Sequence, residues 1–244
     1  MLTKNQSKRI LSLRQKKQRL KQGLFTVEGP KVVQEFIDSN YELVEVFSIN
    51  NNYAHFKEKL TIIDEKALKK ISSLITPNAV LAIFKTPIPA KVNTNGLILA
   101  LDDLNNPGNL GTIIRLCDWF GIKDLVCSKA TVDCYNSKTV QAAMGSHTRV
   151  NVVYLDLELF LESHSNAIGT FMDAKSSIYE MELPKSGVIV LGNEANGISE
   201  SIASKLNTRF AIPRFGELKQ AESLNVANAA AIVLSEFKRR SIEM

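Results

Sequence analysis

Leu97-Ile98-Leu99-Ala100-Leu101 is an unbroken apolar run that passes without a spacer into Asp102-Asp103. A strand with one wet face alternates polar and apolar side chains, so a continuous run of this length predicts a strand covered on both faces, as in a parallel sheet. The next residues agree. Helical periodicity runs over 109–120 and stops at Gly121, and 125–127 reads as the following strand, which makes a βαβ unit. Further strands are expected at 152–155, 167–172, 188–191 and 209–212, with a closing helix over 223–239.

The chain has 244 residues, more than the usual single domain of about 100–150. Residues 85–96 carry two prolines and a polar Asn/Thr/Gly cluster, which suits a linker. We therefore expect one domain over 1–90 and another over 97–244. In the first, Ile10, Leu13 and Leu20 predict one basic amphipathic helix ending at Gly23, followed by a strand over 24–27. Gly29-Pro30 opens a second helix through Val32, Val33, Phe36 and Ile37. Strands at 44–49, 61–63 and 80–84, with a helix over 65–73, complete a small α/β domain.

Composition narrows the function classes. Hydrophobic residues make up 45% and charged residues 23%, an ordinary globular balance. No apolar run approaches the roughly 18 residues of a membrane span, and the basic N-terminus lacks a secretory signal's apolar stretch, so a cytoplasmic protein is expected. Cys117, Cys127 and Cys134 include no CxxC pair and are expected as free, mostly buried thiols. His55, His147 and His164 are too scattered for metal-ligand spacing, so no metal site is expected. Net charge is +5, unevenly spread: Lys4, Lys8, Arg9, Arg14, Lys16, Lys17, Arg19 and Lys21 precede Phe25 with no acidic residue among them. Such a block is either a solvated helix face or a grip on phosphates, where Lys and Arg gain affinity by releasing counterions.

Three stretches carry candidate chemistry. Asp102-Asp103-Leu104-Asn105-Asn106-Pro107-Gly108-Asn109-Leu110-Gly111, with Arg115 four residues on, is a polar turn between a strand end and a helix start, the place where open α/β sheets bind ligands. It is not a GxGxxG fingerprint, which disfavours a dinucleotide enzyme. The second is an apolar strand ending in Leu191-Gly192-Asn193-Glu194-Ala195-Asn196-Gly197; Gly192 would admit a ligand close to the backbone, and Glu194 needs a partner, for which Arg115 is the candidate. The third is Ile212-Pro213-Arg214, Gly216-Glu217 and then Glu222-Ser223-Leu224-Asn225-Val226-Ala227, with Ser223 as expected N-cap and Asn225 in the first helical turn. Each alone also reads as an ordinary turn.

In order and spacing the three together closely resemble the SpoU (TrmH) class of SPOUT methyltransferases, marked by N-P-x-N-x-G-x-x-x-R, G-x-E-x-x-G after an apolar strand, and I-P followed by S-L-N-V. The resemblance spans roughly 97–240. Residues 23–29, Gly-Leu-Phe-Thr-Val-Glu-Gly, resemble the start of the substrate-binding domain often fused to this class, itself similar to a small ribosomal RNA-binding protein. Arg214 and Ala227 depart from the methionine and serine common in the class, which touches the methionine-binding rim.

The resemblance implies an α/β SPOUT domain with a deep trefoil knot, S-adenosyl-L-methionine as cofactor, a homodimer, and methyl transfer to a ribose 2′-hydroxyl of RNA, large-subunit ribosomal RNA ahead of transfer RNA. It implies Arg115, Asn109, Glu194, Ser223 and Asn225 as the catalytic set, and Leu191, Gly192, Gly197, Ile212, Pro213 and Leu224 around the cofactor. Lys8, Arg9, Arg14, Lys16, Lys17 and Arg19 would grip RNA. A non-catalytic RNA-binding module would not require Arg115, Glu194 and Asn225 together.

Overall fold

The structure is a computed structural model that describes residues 1–216 and 223–242. Its contacts divide the chain into two units, Met1–Ile88 with Asp133–Thr148, and Pro89–Val132 with Arg149–Met244. Residues 133–148, which the sequence reading gave to the second domain, therefore pack with the N-terminal unit.

In the first unit the elements are α1 (Lys4–Ser12), α2 (Lys16–Gln22), β1 (Leu24–Glu28), α3 (Pro30–Ile37), β2 (Leu43–Ser48), β3 (Leu60–Ile62), α4 (Glu65–Ile71) and β4 (Val80–Lys85). The sheet order is β1-β4-β2-β3, with only β2 and β3 parallel. Helices cover both faces, so β4 is apolar and buried from Val80 to Phe84. Val80, Ala82 and Phe84 face Phe25, Val33 and Phe36, while Leu81 and Ile83 face Ile10, Leu13, Leu68 and Ile71.

The single basic helix expected near the N-terminus is two. Thr3 and Gln6 form a reciprocal capping box at the start of α1, which ends at Ser12 with Leu13 as its C-cap. In α2 the inward residue is Arg19, and Leu20 is exposed. Gly23 closes α2 in the left-handed conformation, as its position predicted.

The second unit holds β5 (Leu97–Leu101), α5 (Pro107–Trp119), β6 (Asp124–Ser128), β7 (Asn151–Leu155), α7 (Leu157–Glu162), β8 (Ala167–Thr170), β9 (Gly187–Leu191), α8 (Glu200–Ala203), β10 (Thr208–Phe210) and α9 (Val226–Ile242); α6 (Ser137–Ala143) lies in the first unit. The sheet is wholly parallel, in the order β10-β8-β9-β5-β6-β7. Ile98, Ala100, Val188 and Val190 pack with Leu157, Leu161, Ile198 and Ile202. On the other strand positions Leu99, Leu101, Ile189 and Leu191 are buried too, as the unbroken apolar run required.

α5 and α9 pack together. In α9, Val226, Ala227, Ala230, Val233, Leu234 and Phe237 are buried, the spacing of one helical face, while Ala231 and Ile232 keep part of their surface open. Helices α6, α7 and α8 were not expected; each has seven residues or fewer, too short for periodicity to declare itself.

Candidate active site

β5 lies between β9 and β6 in the sheet, so the chain leaves β5 toward one side and returns beside it on the other. Loops after such strands diverge and leave a crevice at their carboxyl ends, the switch point of an open parallel sheet. Leu101 pairs with Leu191 across the last register position, and the Asp102 N–H donates to the Leu191 carbonyl at 2.9 Å. The loop after β5 and the loop after β9 thus start side by side.

The β5 loop is built around a residue in an unfavourable conformation. Asp103 has φ +53, a left-handed geometry that costs a non-glycine residue about 1–2 kcal/mol. Side chains from neighbouring loops hold it there. Its N–H donates to Ser128 Oγ at 2.9 Å, and its carbonyl accepts from Asn193 Nδ2 at 2.6 Å. Beyond it, the Leu104 N–H donates to Thr131 Oγ1 at 3.3 Å. Asn106 then caps α5, its side-chain oxygen accepting from the Gly108 and Asn109 N–H groups at 2.8 and 3.2 Å, with Pro107 at the first helical position, where no N–H is needed.

The β9 loop closes on itself. Asn193 and Gly197 exchange two backbone hydrogen bonds of 2.9 Å each, and Gly197 sits at φ +68. Asn193 Oδ1 also accepts from the Ala195 and Asn196 N–H groups. A Cβ on Gly192 would stand 2.1 Å from the Gly197 carbonyl carbon and 2.3 Å from the Ile198 nitrogen. The close approach anticipated at Gly192 is thus made by the chain's own backbone. Asp102, buried below, accepts from the Ser199 N–H and hydroxyl at 2.8 and 2.7 Å and ties the loop's far end to β5.

Three side chains from three separate stretches meet at this crevice. Asn109 Nδ2 donates to Glu194 Oε1 at 2.6 Å, and Asn225 Nδ2 donates to Asn109 Oδ1 at 3.1 Å. Asn225 Oδ1 in turn accepts from the Ala227 and Asn228 N–H groups. It is therefore the N-cap of α9, the position expected for Ser223, which is exposed two residues earlier.

Arg115 is not in this chain of bonds. It lies farther along α5, exposed, with no hydrogen bond or ion pair among the described residues. The expected Arg115–Glu194 pairing is replaced by Asn109–Glu194. Of the expected cofactor residues, Leu191 is buried, Gly192, Ile212 and Pro213 are half-buried, and Gly197 and Leu224 are exposed. The stretch 217–222, which includes part of the third motif, lies outside the described residues.

The basic block is sorted by its neighbours. Arg19 is buried; its Nε and Nη2 donate to Asp133 Oδ2 at 2.8 and 2.5 Å, and Nη1 donates to the Leu13 and Arg14 carbonyls. Arg9 pairs with Glu45 at 2.5 Å, and Arg14 donates to the Ser72 carbonyl at 2.6 Å. Arg19 is thus committed to the interior of the unit and not to the phosphate-facing surface expected for it, whereas Arg9 and Arg14 bond within the unit and keep part of their surface open. Lys8, Lys16 and Lys17 are exposed and have no such partners among the described residues.

Sequence reasoning gave no role to Asp102, Asp103, Asn106, Asn193, Ser128 or Thr131. Asn106 before Pro107 was a readable cap signal; Ser128 and Thr131 lie outside every motif. The three cysteines are buried and form no disulfide among the described residues. Among the described residues no group of three His, Cys, Asp or Glu could hold a metal, and no helix is long and apolar enough to cross a membrane.

Residues 96–235 match the SpoU rRNA Methylase family, and residues 4–82 match the MRM3-like substrate binding domain. The chain is 30% identical over 234 residues to the 23S rRNA (guanosine(2553)-2'-O)-methyltransferase RlmP of Bacillus subtilis, covering 93% of each chain. Among solved structures, a TrmH-family chain from Porphyromonas gingivalis superposes with a TM-score of 0.87 at 35% identity, covering 98% of this chain and 99% of that one. An AdoMet-bound rRNA methyltransferase from Sinorhizobium meliloti gives 0.87 at 27% identity, covering 98% and 96%.

Proposed function

We propose, from the premise that the chain belongs to the SpoU rRNA methylase family, that it methylates a ribose 2′-hydroxyl of large-subunit ribosomal RNA with S-adenosylmethionine as donor. The observation that carries this reading is the Asn225–Asn109–Glu194 chain at the switch point, which joins the starts of α5 and α9 to the β9 loop. The relative matched over nearly the whole chain is named for 23S rRNA, and the substrate-binding match covers the basic unit.

The residues present fit the donor. Gly192 follows β9, and Ile212 and Pro213 follow β10, at the same carboxyl edge of one parallel sheet. Leu224 exposes apolar surface next to Asn225. Backbone and aliphatic surface suit an uncharged adenine, and we assign Leu191, Gly192, Ile212, Pro213 and Leu224 to holding it. When bound, S-adenosylmethionine supplies an electrophilic methyl group on its sulfonium.

A ribose hydroxyl is a weak nucleophile at neutral pH, so its proton must leave as the new bond forms. The Arg115 guanidinium carries five N–H donors and no acceptor, which suits it to binding an oxygen more than to taking a proton from one. Its part is to hold the hydroxyl beside a neighbouring phosphate, whose oxygen takes the proton as the new bond forms, and to stabilise the hydroxyl oxygen's developing negative charge. Glu194 and Asn225 fix the amide of Asn109, which positions the pocket wall.

We further place Arg115 in the partner's site of a two-fold homodimer acting in the cytoplasm. Arg115 is exposed and has no hydrogen bond or ion pair among the described residues, while Glu194 is already occupied. Phe120, just past α5, Tyr179, and Ala231 and Ile232 of α9 line a shallow depression, and Trp119 is 82% exposed. Such a surface suits an isologous contact. The test is Arg115→Ala: turnover on large-subunit RNA should be lost while S-adenosylmethionine still binds by calorimetry. Near-parental turnover would remove Arg115 from the mechanism.

A further inference from the structure

Two hydroxyl groups stand outside the Asn225–Asn109–Glu194 chain, yet they decide the shape of the loop that carries Asn109. Ser128 ends β6, and Thr131 follows it by three residues. The Asp103 N–H donates to Ser128 Oγ at 2.9 Å, and the Leu104 N–H donates to Thr131 Oγ1 at 3.3 Å. Thr131 Oγ1 in turn donates to the Leu101 carbonyl at 3.3 Å. A hydroxyl has one proton to give, so in the contact between the two, 3.1 Å long, Ser128 donates to Thr131. The relay runs one way and ends on the last residue of β5. Thr131 is fully buried, and a buried hydroxyl is costly unless it is bonded; here its bonds go to the backbone at 101 and 104 and to Ser128.

The segment so held contains Asp103 at φ +53. A non-glycine residue released from that conformation favours negative φ, and the chain that follows it changes direction. Only Leu104, Asn105 and Asn106 separate Asp103 from Pro107, the first residue of α5, and Asn109 lies in that helix's first turn. Leu104 is buried, and its carbonyl accepts from the Val132 N–H at 2.8 Å. A change at Asp103 is therefore delivered to the start of α5, and so to the Asn109 amide, whose partner Glu194 belongs to a different loop. Backbone strain persists only where the surroundings impose it. At a reacting centre the stake is large, since a misplacement of about 1 Å can cost about a hundredfold in rate.

We infer that Ser128 and Thr131 are positioning residues for methyl transfer: they hold Asp103 in the left-handed state and thereby set where the start of α5 presents Asn109. The inference rests on the proposed methyl transfer and adds the residues that keep its site assembled. The residues assigned to S-adenosylmethionine lie at the ends of β9 and β10 and just before α9, so the clamp acts on turnover and not on cofactor affinity.

The experiment is a double-mutant cycle of Ser128→Ala and Asp103→Gly, because glycine takes positive φ without strain and has no need of the clamp. Turnover on ribosomal RNA, S-adenosylmethionine affinity by calorimetry, and amide hydrogen exchange over 102–110 in the free chain are measured for each protein of the cycle, well below its melting temperature. Ser128→Ala should lower kcat about tenfold, the factor to which one residue's left-handed strain corresponds. KM for RNA and cofactor affinity should stay close to the parent's, and exchange over 102–110 should quicken. In the Asp103→Gly background the same substitution should cost less than about twofold in kcat and leave that exchange slow. Thr131→Val, which removes the other hydroxyl, should show the same dependence on background. A merely structural role gives equal falls in both backgrounds, and that result overturns the inference, as does unchanged exchange in Ser128→Ala. Failure of the parent chain to methylate ribosomal RNA overturns the proposed activity instead, a result visible before any variant is compared, and the exchange measurement still reads the clamp.

Discussion

Asn109 Nδ2 donates to Glu194 Oε1 at 2.6 Å, joining the first turn of the helix after β5 to the loop after β9. The two residues are 85 positions apart and meet because their strands are neighbours in a parallel sheet. Glu194 therefore acts through Asn109 within one chain, and that separates two ways it could matter.

If Glu194 serves to fix the Asn109 amide, Glu194→Gln keeps an acceptor oxygen and should retain much of the turnover, while Glu194→Ala should lose on the order of a hundredfold, the upper end of what a lost orienting partner costs. If its charge is what counts, both variants fall alike. Single-turnover rates on ribosomal RNA separate the cases, and equal loss would return Glu194 to direct electrostatic partnership with an arginine.

The buried arginine of α2 gives a prediction of opposite kind. Arg19 and Asp133 form an ion pair with both side chains almost covered. Removing one partner of such a pair leaves the other as an uncompensated buried charge, which costs about 3–5 kcal/mol. Arg19→Gln should lower the urea midpoint of unfolding sharply, and the salt slope of RNA binding by the folded fraction should stay parental. A stable variant with a flattened slope would mean that Arg19 reaches RNA after all.

Arg19 also shows where the sequence was opaque. Its place in a run of cations predicted a solvated or phosphate-facing side chain, and nothing local announced that Asp133, 114 residues away, would draw it inward. The parallel sheet, by contrast, was legible from five apolar residues, because a strand buried on both faces leaves no polar position. The site was legible in the same uneven way. Asn109, Glu194 and Asn225 came from motif spacing, but their mutual bonds depend on strand order, which periodicity does not carry. The strain at Asp103 and the clamp by Ser128, Thr131 and Asn193 were invisible, since hydroxyl and amide contacts between loops leave no pattern along the chain.

Buried His147 makes the first unit sensitive to mild acid. Its Nε2 lies 2.8 Å from the Cys134 carbonyl oxygen, so that nitrogen carries the proton, and Nδ1 is buried without a partner. Burial pushes the imidazole pKa down from 6.5 to about 4. The unfolded chain then takes up this proton near 6.5 and the folded chain does not until about 4. Stability from His147 is complete above that window and is lost as pH falls through it, with a slope approaching about 1.4 kcal/mol per pH unit. His147→Gln should flatten the difference in unfolding free energy between pH 6.5 and 4; an unchanged slope assigns the acid sensitivity to other groups.

The placement of Arg115 across a dimer is open to complementation. Suppose Arg115→Ala and Glu194→Ala are each inactive because each lacks one half of a composite site. In a mixed dimer, the Arg115→Ala subunit contributes an intact Glu194 and the Glu194→Ala subunit an intact Arg115, so one of the two sites is whole. Random mixing of equal amounts makes half the dimers mixed, and about a quarter of all sites should then be active. If Arg115 works within its own chain, every site in every dimer lacks one residue and mixing restores nothing. Sedimentation of the parent protein supplies the companion measurement, since full activity in a species near 27.1 kDa, the mass of one chain, would exclude any mechanism that borrows a residue from a partner.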